Sequence, residues 1–168
     1  MPNISPKVSV LFVCLGNICR SPTAEGIFRR LLKERGYEND VHIDSSGTSN
    51  YHLGEPPDSR AIAKASKCGI DIANLRGRQV TSRDFEQFDY ILAMDAENLR
   101  DLLQRCPPRH RDRVRLLMEF APHLNVGAVP DPYFGGEDGF DHVYELIEAA
   151  SEGLLRVLER DHLEITRD

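Results

Sequence analysis

The chain has 168 residues, 40% of them hydrophobic and 29% charged, enough for one well-buried core and too few for two. Its 21 Lys and Arg stand against 27 Asp and Glu, a formal charge of -6, and that field repels polyanions and excludes general nucleic-acid binding. A single bound anion remains compatible with it, because a helix N-terminus and a few arginines hold a phosphate locally.

The longest apolar stretch, Val8 to Cys19, is interrupted by Ser9, Gly16 and Asn17 and falls short of the roughly 20 residues of a spanning helix, so no membrane insertion is expected. The opening MPNISPKVSV lacks the long apolar run of a secretory signal, and a cytoplasmic location is the expectation. Cys14, Cys19, Cys68 and Cys106 are too sparse for a disulfide scaffold and read as thiols.

In chain order, Val8 to Cys14 (VSVLFVC) is β-branched and apolar with little alternation, as in a central strand covered on both faces. Ser21-Pro22 reads as the N-cap and first residue of a helix, with apolar positions at Ala24, Ile27, Phe28, Leu31 and Leu32 and an end near Gly36. Val41 to Ser45 reads as a strand, Asp58 to Gly69 as a helix, Asp89 to Met94 as a buried strand and Ala96 to Arg105 as a helix. Val114 to Met118 is assigned to a fourth strand between proline breaks. Phe140, Val143, Ile147, Ala150, Leu154 and Val157 recur every three or four residues and make the apolar stripe of a last helix.

Alternating strands and helices predict one domain with an open, mostly parallel α/β sheet, whose ligands bind beyond the carboxyl ends of the strands at a switch point. Cys14 stands at such an end. The irregular segments Tyr51 to Asp58 and Asp131 to Phe140 are long enough to rim a site there.

Cys14-Leu15-Gly16-Asn17-Ile18-Cys19-Arg20-Ser21 puts a thiol at a strand end, five loop residues, an arginine and a hydroxyl at a helix start. Successive loop N–H groups backed by the helix dipole form a nest for a tetrahedral oxyanion, and the same field favours a thiolate aimed at the bound phosphate. Arg20 offers a planar fork for two phosphate oxygens, and Ser21 can donate to the sulfur. Cleaving an aryl ester also needs an acid for the departing phenolate. Asp131, between Pro130 and Pro132, is the candidate, with Tyr133 as an aromatic wall; an ordinary proline-rich turn is the alternative reading of the same residues. The six histidines form no HxxxH-type pair and no CxxC accompanies them, so no metal or other cofactor is expected.

CLGNICRSP together with DPYFG resembles the low-molecular-weight protein tyrosine phosphatases, and IDSSGTS, GEPPDSRA and FDYILAMDAENLRDL are similar to that family too. The likeness covers about Val8 to Arg160, and the whole of 1–168 is read as one domain. It implies a four-stranded parallel sheet flanked by helices on both faces, a phosphate-binding loop after the first strand, and metal-free hydrolysis of tyrosine-phosphorylated proteins. By resemblance Cys14 forms a phosphocysteine, and Arg20 holds the phosphate with the loop from Leu15 through Gly16, Asn17, Ile18 and Cys19 to Ser21. Asp131 acts as acid and then base, Ser21 steadies the thiolate, and Asn17 and Ser45 brace the loop. Leu15, Tyr51 and Tyr133 would line the substrate cleft. Cys19 would form a reversible disulfide with Cys14, or else is a packed small hydrophobe. Many animal members have a histidine near the bracing network where this chain reads Ala73-Asn74-Leu75-Arg76-Gly77, which leaves the residue that braces Asn17 open.

Three other functions use the same residues. A thioredoxin-coupled arsenate reductase needs two further cysteines close together, whereas Cys68 and Cys106 are far apart in the chain. A protein arginine phosphatase typically has threonine where this chain has Ile18, so isoleucine favours phosphotyrosine. A non-catalytic phosphotyrosine-binding module would be expected to lack the nucleophile or the acid. Arg76 and Arg78 are candidates for attracting acidic phosphopeptides, and exposed Tyr51 and Tyr133 allow a monomer or weak self-association.

Overall fold

In the computed structural model, which describes residues 5–163, VSVLFVC forms the central strand β1 (Val8–Cys14). β2 (Val41–Gly47) pairs with it on one side and β3 (Tyr90–Ala93) on the other, while β4 (Val114–Leu116) pairs with β3. All pairings are parallel, in the order β2-β1-β3-β4.

The missing alternation in β1 has a direct cause. Val8, Val10, Phe12 and Cys14 face one apolar core, and Leu11 and Val13 face a second on the other side of the sheet. Both faces are dry, so neither favours polar side chains. The larger core is closed by α1 (Arg20–Glu34), α2 (Ser59–Lys67) and α5 (Glu137–Leu158), which contribute Phe28, Ala61 and Ile147 among others. Phe12 and Phe28 meet edge to face with centroids 5.8 Å apart. α3 (Ser82–Gln87) and α4 (Ala96–Arg105) cover the other face with Phe85 and Leu102. Each fully buried aromatic or leucine contributes about 1.5–3 kcal/mol.

Several boundaries differ from the sequence expectation. α1 begins at Arg20 with Cys19 at the cap position, so Ser21 lies inside the helix and its hydroxyl is free for other work. α3 was not expected; its signal is the Thr81-x-x-Asp84 spacing, in which the Asp84 carboxylate accepts the Thr81 backbone N–H at 2.8 Å. The fourth strand stops at Leu116, because the Glu119 carboxylate accepts the Leu116 N–H at 3.0 Å and turns Leu117–Phe120 into a 3-10 helix. The last helix keeps its expected stripe, with Phe140, Val143, Ile147, Ala150 and Leu154 buried. No helix among the described residues is long and apolar enough to cross a membrane.

From β1 the chain goes first to β2 on one side and then across to β3 on the other, which opens a crevice beyond the carboxyl ends of β1 and β3. Cys14 ends one of these strands and Asp95 follows the other.

Candidate active site

Between β1 and α1 the chain makes a tight loop. Thr48 and Ser49, just past β2, donate their N–H groups to the Cys14 and Leu15 carbonyls at 2.9 and 3.0 Å, and Asn17 adopts a left-handed φ of 60°. Asparagine is among the few residues that tolerate this conformation. It is also tied on every side. Its side-chain amide donates to Ser21 Oγ at 2.8 Å and Ser45 Oγ at 3.1 Å, and its Oδ1 accepts the Arg78 backbone N–H at 2.9 Å. Ser45 in turn donates to the buried carboxylate of Glu25 at 2.8 Å. The brace left open by the sequence is thus a main-chain group of Arg78.

The thiol of Cys14 lies at the bottom of this loop. The Asn17 backbone N–H points at Sγ from 3.3 Å, and Ser21 Oγ is 3.0 Å away. Because Ser21 Oγ already accepts from Asn17, its own proton is shared between the sulfur at 3.0 Å and the Ser46 carbonyl at 3.3 Å. With the N-terminus of α1 alongside, the environment is arranged for an anion.

Arg20 is only 2% exposed, and two contacts aim its guanidinium: Nη1 donates to Asp95 Oδ2 at 2.7 Å and to the Val129 carbonyl at 3.0 Å. Burial works against its charge, but the sulfur of Cys14 and the bond to Asp95 outweigh that and push its pKa up. Arg20 therefore stays cationic. Its Nη2 faces Asp131 Oδ2 at 3.7 Å, an ion pair too long for a direct hydrogen bond. The other oxygen of Asp131 accepts the Tyr133 N–H at 3.0 Å, an Asx-type turn that sets the carboxyl over the loop.

Cys14, Leu15, Gly16, Ile18, Cys19, Arg20, Tyr51, Asp131 and Tyr133 all line one cavity, and Asn17, Ser21 and Ser45 lie behind its floor. Two further lining residues escaped the sequence reading. His52 packs so closely on the loop that a Cβ on Gly16 would come within 2.9 Å of its ring, and Phe134 stands 92% exposed at the mouth. Both lie in the segments marked as rims, so only their identity was missed. Asp95 and Glu25 were also missed; the position of Asp95 right after a buried strand was the available signal. Cys19 is buried beside the cavity, and burial, reinforced by Asp58, pushes its pKa far up and keeps the thiol protonated.

Of the two arginines considered for attracting acidic phosphopeptides, Arg78 is engaged by Asp44 at 3.1 Å and Asp84 at 3.0 Å, whereas exposed Arg76 donates to the carbonyls of Ala73 and Leu75. Among the described residues no group of three or more His, Cys, Asp or Glu is placed to hold a metal ion.

A strand-end thiol, a loop amide aimed at it beside a helix start and a buried arginine make this a parallel α/β protein whose thiol and guanidinium meet in one loop-lined cavity. More narrowly, residues 9–164 match the family described as low molecular weight phosphotyrosine protein phosphatase, and the chain belongs to it. It is 48% identical over 140 residues to the low molecular weight phosphotyrosine protein phosphatase of Gallus gallus, covering 82% of this chain and 87% of that one. Its fold is similar to that of a protein tyrosine phosphatase from Entamoeba histolytica solved with Hepes in the active site (TM-score 0.88, 40% identity, 91% and 97% coverage). It is similar as well to DARP, a drosophila arginine phosphatase (TM-score 0.83, 34% identity, 90% and 98% coverage).

Proposed function

We propose that this family member hydrolyses phosphotyrosine in proteins through a phosphocysteine. The observation that carries the reading is the convergence of Cys14 Sγ, the Arg20 guanidinium and the Asp131 carboxyl on one aromatic-walled cavity. In the first step Sγ attacks phosphorus as the phosphorus–oxygen bond to the ring breaks, and Asp131 gives its proton to the leaving phenolate. Arg20 and the amides from Leu15 to Ser21 hold the three non-bridging oxygens, and Ser21 donates to the sulfur. In the second step Asp131 takes a proton from water, the water oxygen attacks phosphorus, the sulfur–phosphorus bond breaks, and the thiolate is restored. No step in this sequence calls for a metal.

Ile18 and the walls formed by Leu15, Tyr51 and Tyr133 favour a flat aromatic ester. The likeness to an arginine phosphatase keeps phosphoarginine as the second reading. Arsenate reduction by a cysteine relay is disfavoured by placement, since Cys68 packs against one core and Cys106 lies in the other, across the sheet. All four cysteines are free thiols, which suits a cytoplasmic setting and a reversible Cys14–Cys19 disulfide under oxidation. The protein is read as a monomer or a weakly self-associating one.

The test is phosphate release from matched phosphotyrosine, phosphoserine and phosphoarginine peptides, with Cys14→Ser as the blank. Selective phosphotyrosine turnover that disappears in Cys14→Ser is expected. Preference for phosphoarginine would keep the mechanism and replace the substrate, and turnover that survives in Cys14→Ser would remove the nucleophile.

A further inference from the structure

Within the segment carrying Asp131, the Tyr133 N–H donates to the Asp131 carboxylate and the Gly135 N–H to the Pro132 carbonyl, each at 3.0 Å. Pro130 and Pro132 have no N–H to donate, and Gly135-Gly136 follow with no side chains to anchor them. A further hold on the segment comes from another element. Arg60, the second residue of α2, donates Nη2 to the Tyr133 carbonyl at 2.9 Å and Nη1 to the Gly135 carbonyl at 3.2 Å. Its guanidinium lies 4.7 Å from the Phe140 ring centroid and 5.7 Å from that of Tyr133. The same guanidinium is fixed from below by Asp58, through Nε at 3.0 Å and Nη2 at 3.0 Å.

Asp58 is joined to the other half of the site. Its backbone N–H donates to the carbonyl of Ile18, in the phosphate loop, at 2.8 Å. A continuous chain of contacts thus runs from the nucleophile's loop through Asp58 and Arg60 to the two carbonyls that follow the acid. We propose that Arg60 is a positioning residue, which clamps the acid segment to the phosphate loop and so sets the height of the Asp131 carboxyl above Cys14. This rests on the function proposed above. Arginine is required, because one planar fork serves a carboxylate and two carbonyls at once, whereas a lysine ammonium is a point charge that cannot span them.

Arg60 does not line the cavity that Cys14 and Arg20 share, so its loss should act mainly where proton delivery matters. The experiment compares kcat/KM for aryl phosphates whose leaving phenols range from pKa about 7 to about 10, in the parent, Arg60→Ala, Arg60→Lys, Asp131→Ala and the Arg60→Ala/Asp131→Ala double variant. Arg60→Ala should lose about 10-fold or more on the poorest leaving group and about 2-fold or less on the best. Arg60→Lys should resemble the alanine variant, and it supplies the readout if Arg60→Ala does not fold. The double variant should be no slower than Asp131→Ala on poor leaving groups, since a clamp with no acid to hold has nothing to contribute. Equal loss across the series in the Arg60 variants, or additive losses in the double variant, would overturn the clamp while leaving the acid in place. A flat series for Asp131→Ala would remove the acid assignment, and the clamp with it.

Discussion

Arg78 donates its backbone N–H to the side-chain oxygen of Asn17 at 2.9 Å, joining the phosphate loop to a segment 61 residues further along the chain. Two carboxylates, Asp44 and Asp84, hold the Arg78 side chain in turn. The loop is therefore braced by main chain, whose position is fixed by ion pairs one shell further out.

Replacing Asn17 with alanine deletes three hydrogen bonds and leaves the half-buried Arg78 N–H without its acceptor. The expected cost is about 2 kcal/mol or more of stability, with at least a ~10-fold fall in turnover as the cradle loosens. Asn17→Gly relieves the left-handed backbone but restores no bond, so it should remain impaired. Thermal unfolding and steady-state rates of both variants check this, and full activity in Asn17→Gly would show that only the conformation matters.

Cys19, held protonated by burial and by Asp58, should react slowly with iodoacetamide at neutral pH, while Cys14 is modified first. Mild peroxide should convert Cys14 to a sulfenic acid, which the Cys19 thiol condenses with to give a disulfide and water. Peptide mass mapping reads both reactions. If Cys19→Ala recovers from peroxide as completely as the parent on adding a thiol, Cys19 has no protective part.

The Asp58 carboxylate is held below the usual carboxylate range by its hydrogen bonds to Arg60, which outweigh its partial burial. With the folded value depressed, the pair stabilises the fold above the unfolded pKa of about 3.9 and loses that contribution as pH falls through the folded value. Urea midpoints of the parent and Arg60→Ala should therefore differ at neutral pH and converge once the pH has fallen through the depressed folded value. A gap that stays constant down to that pH would mean Arg60 stabilises through packing on Phe140 instead.

Gly153 lies in α5 against the chain turn at Phe120, where an added Cβ would fall 1.8 Å from the Phe120 carbonyl oxygen. Backbone on both sides leaves no flexible side chain to yield. Gly153→Ala should cost about 1–3 kcal/mol and lower Tm by about 2–4 °C for each kcal/mol, with catalytic constants below the transition unaltered. An unchanged Tm would show that α5 and the Phe120 turn can separate at little cost.

The parts legible in the sequence are those with a local signature. The apolar run before Cys14, the stripe of the last helix and the eight residues from Cys14 to Ser21 each carry their meaning within a short window. Asp131 was legible because two prolines frame it. Short α3 was overlooked because six residues are too few to show a helical period. Ser21 was taken for a cap because Ser-Pro is a common helix start, whereas here its hydroxyl serves the sulfur. Pairings such as Arg20 with Asp95, or Arg60 with Tyr133, span more than 70 residues and leave no spacing to read.

The loop that starts at Cys14 is spliced between a strand and a helix that are both packed in the centre of the molecule, while Tyr133 and Phe134 sit on an exposed rim. The rim is therefore expected to be the less stable half of the site, held to the rest through Arg60. As denaturant is raised, the rim should open locally first and the cradle should persist until the sheet itself gives way. Under the function proposed above, the molecule in that interval should still bind inorganic phosphate or vanadate while failing to protonate a poor leaving group.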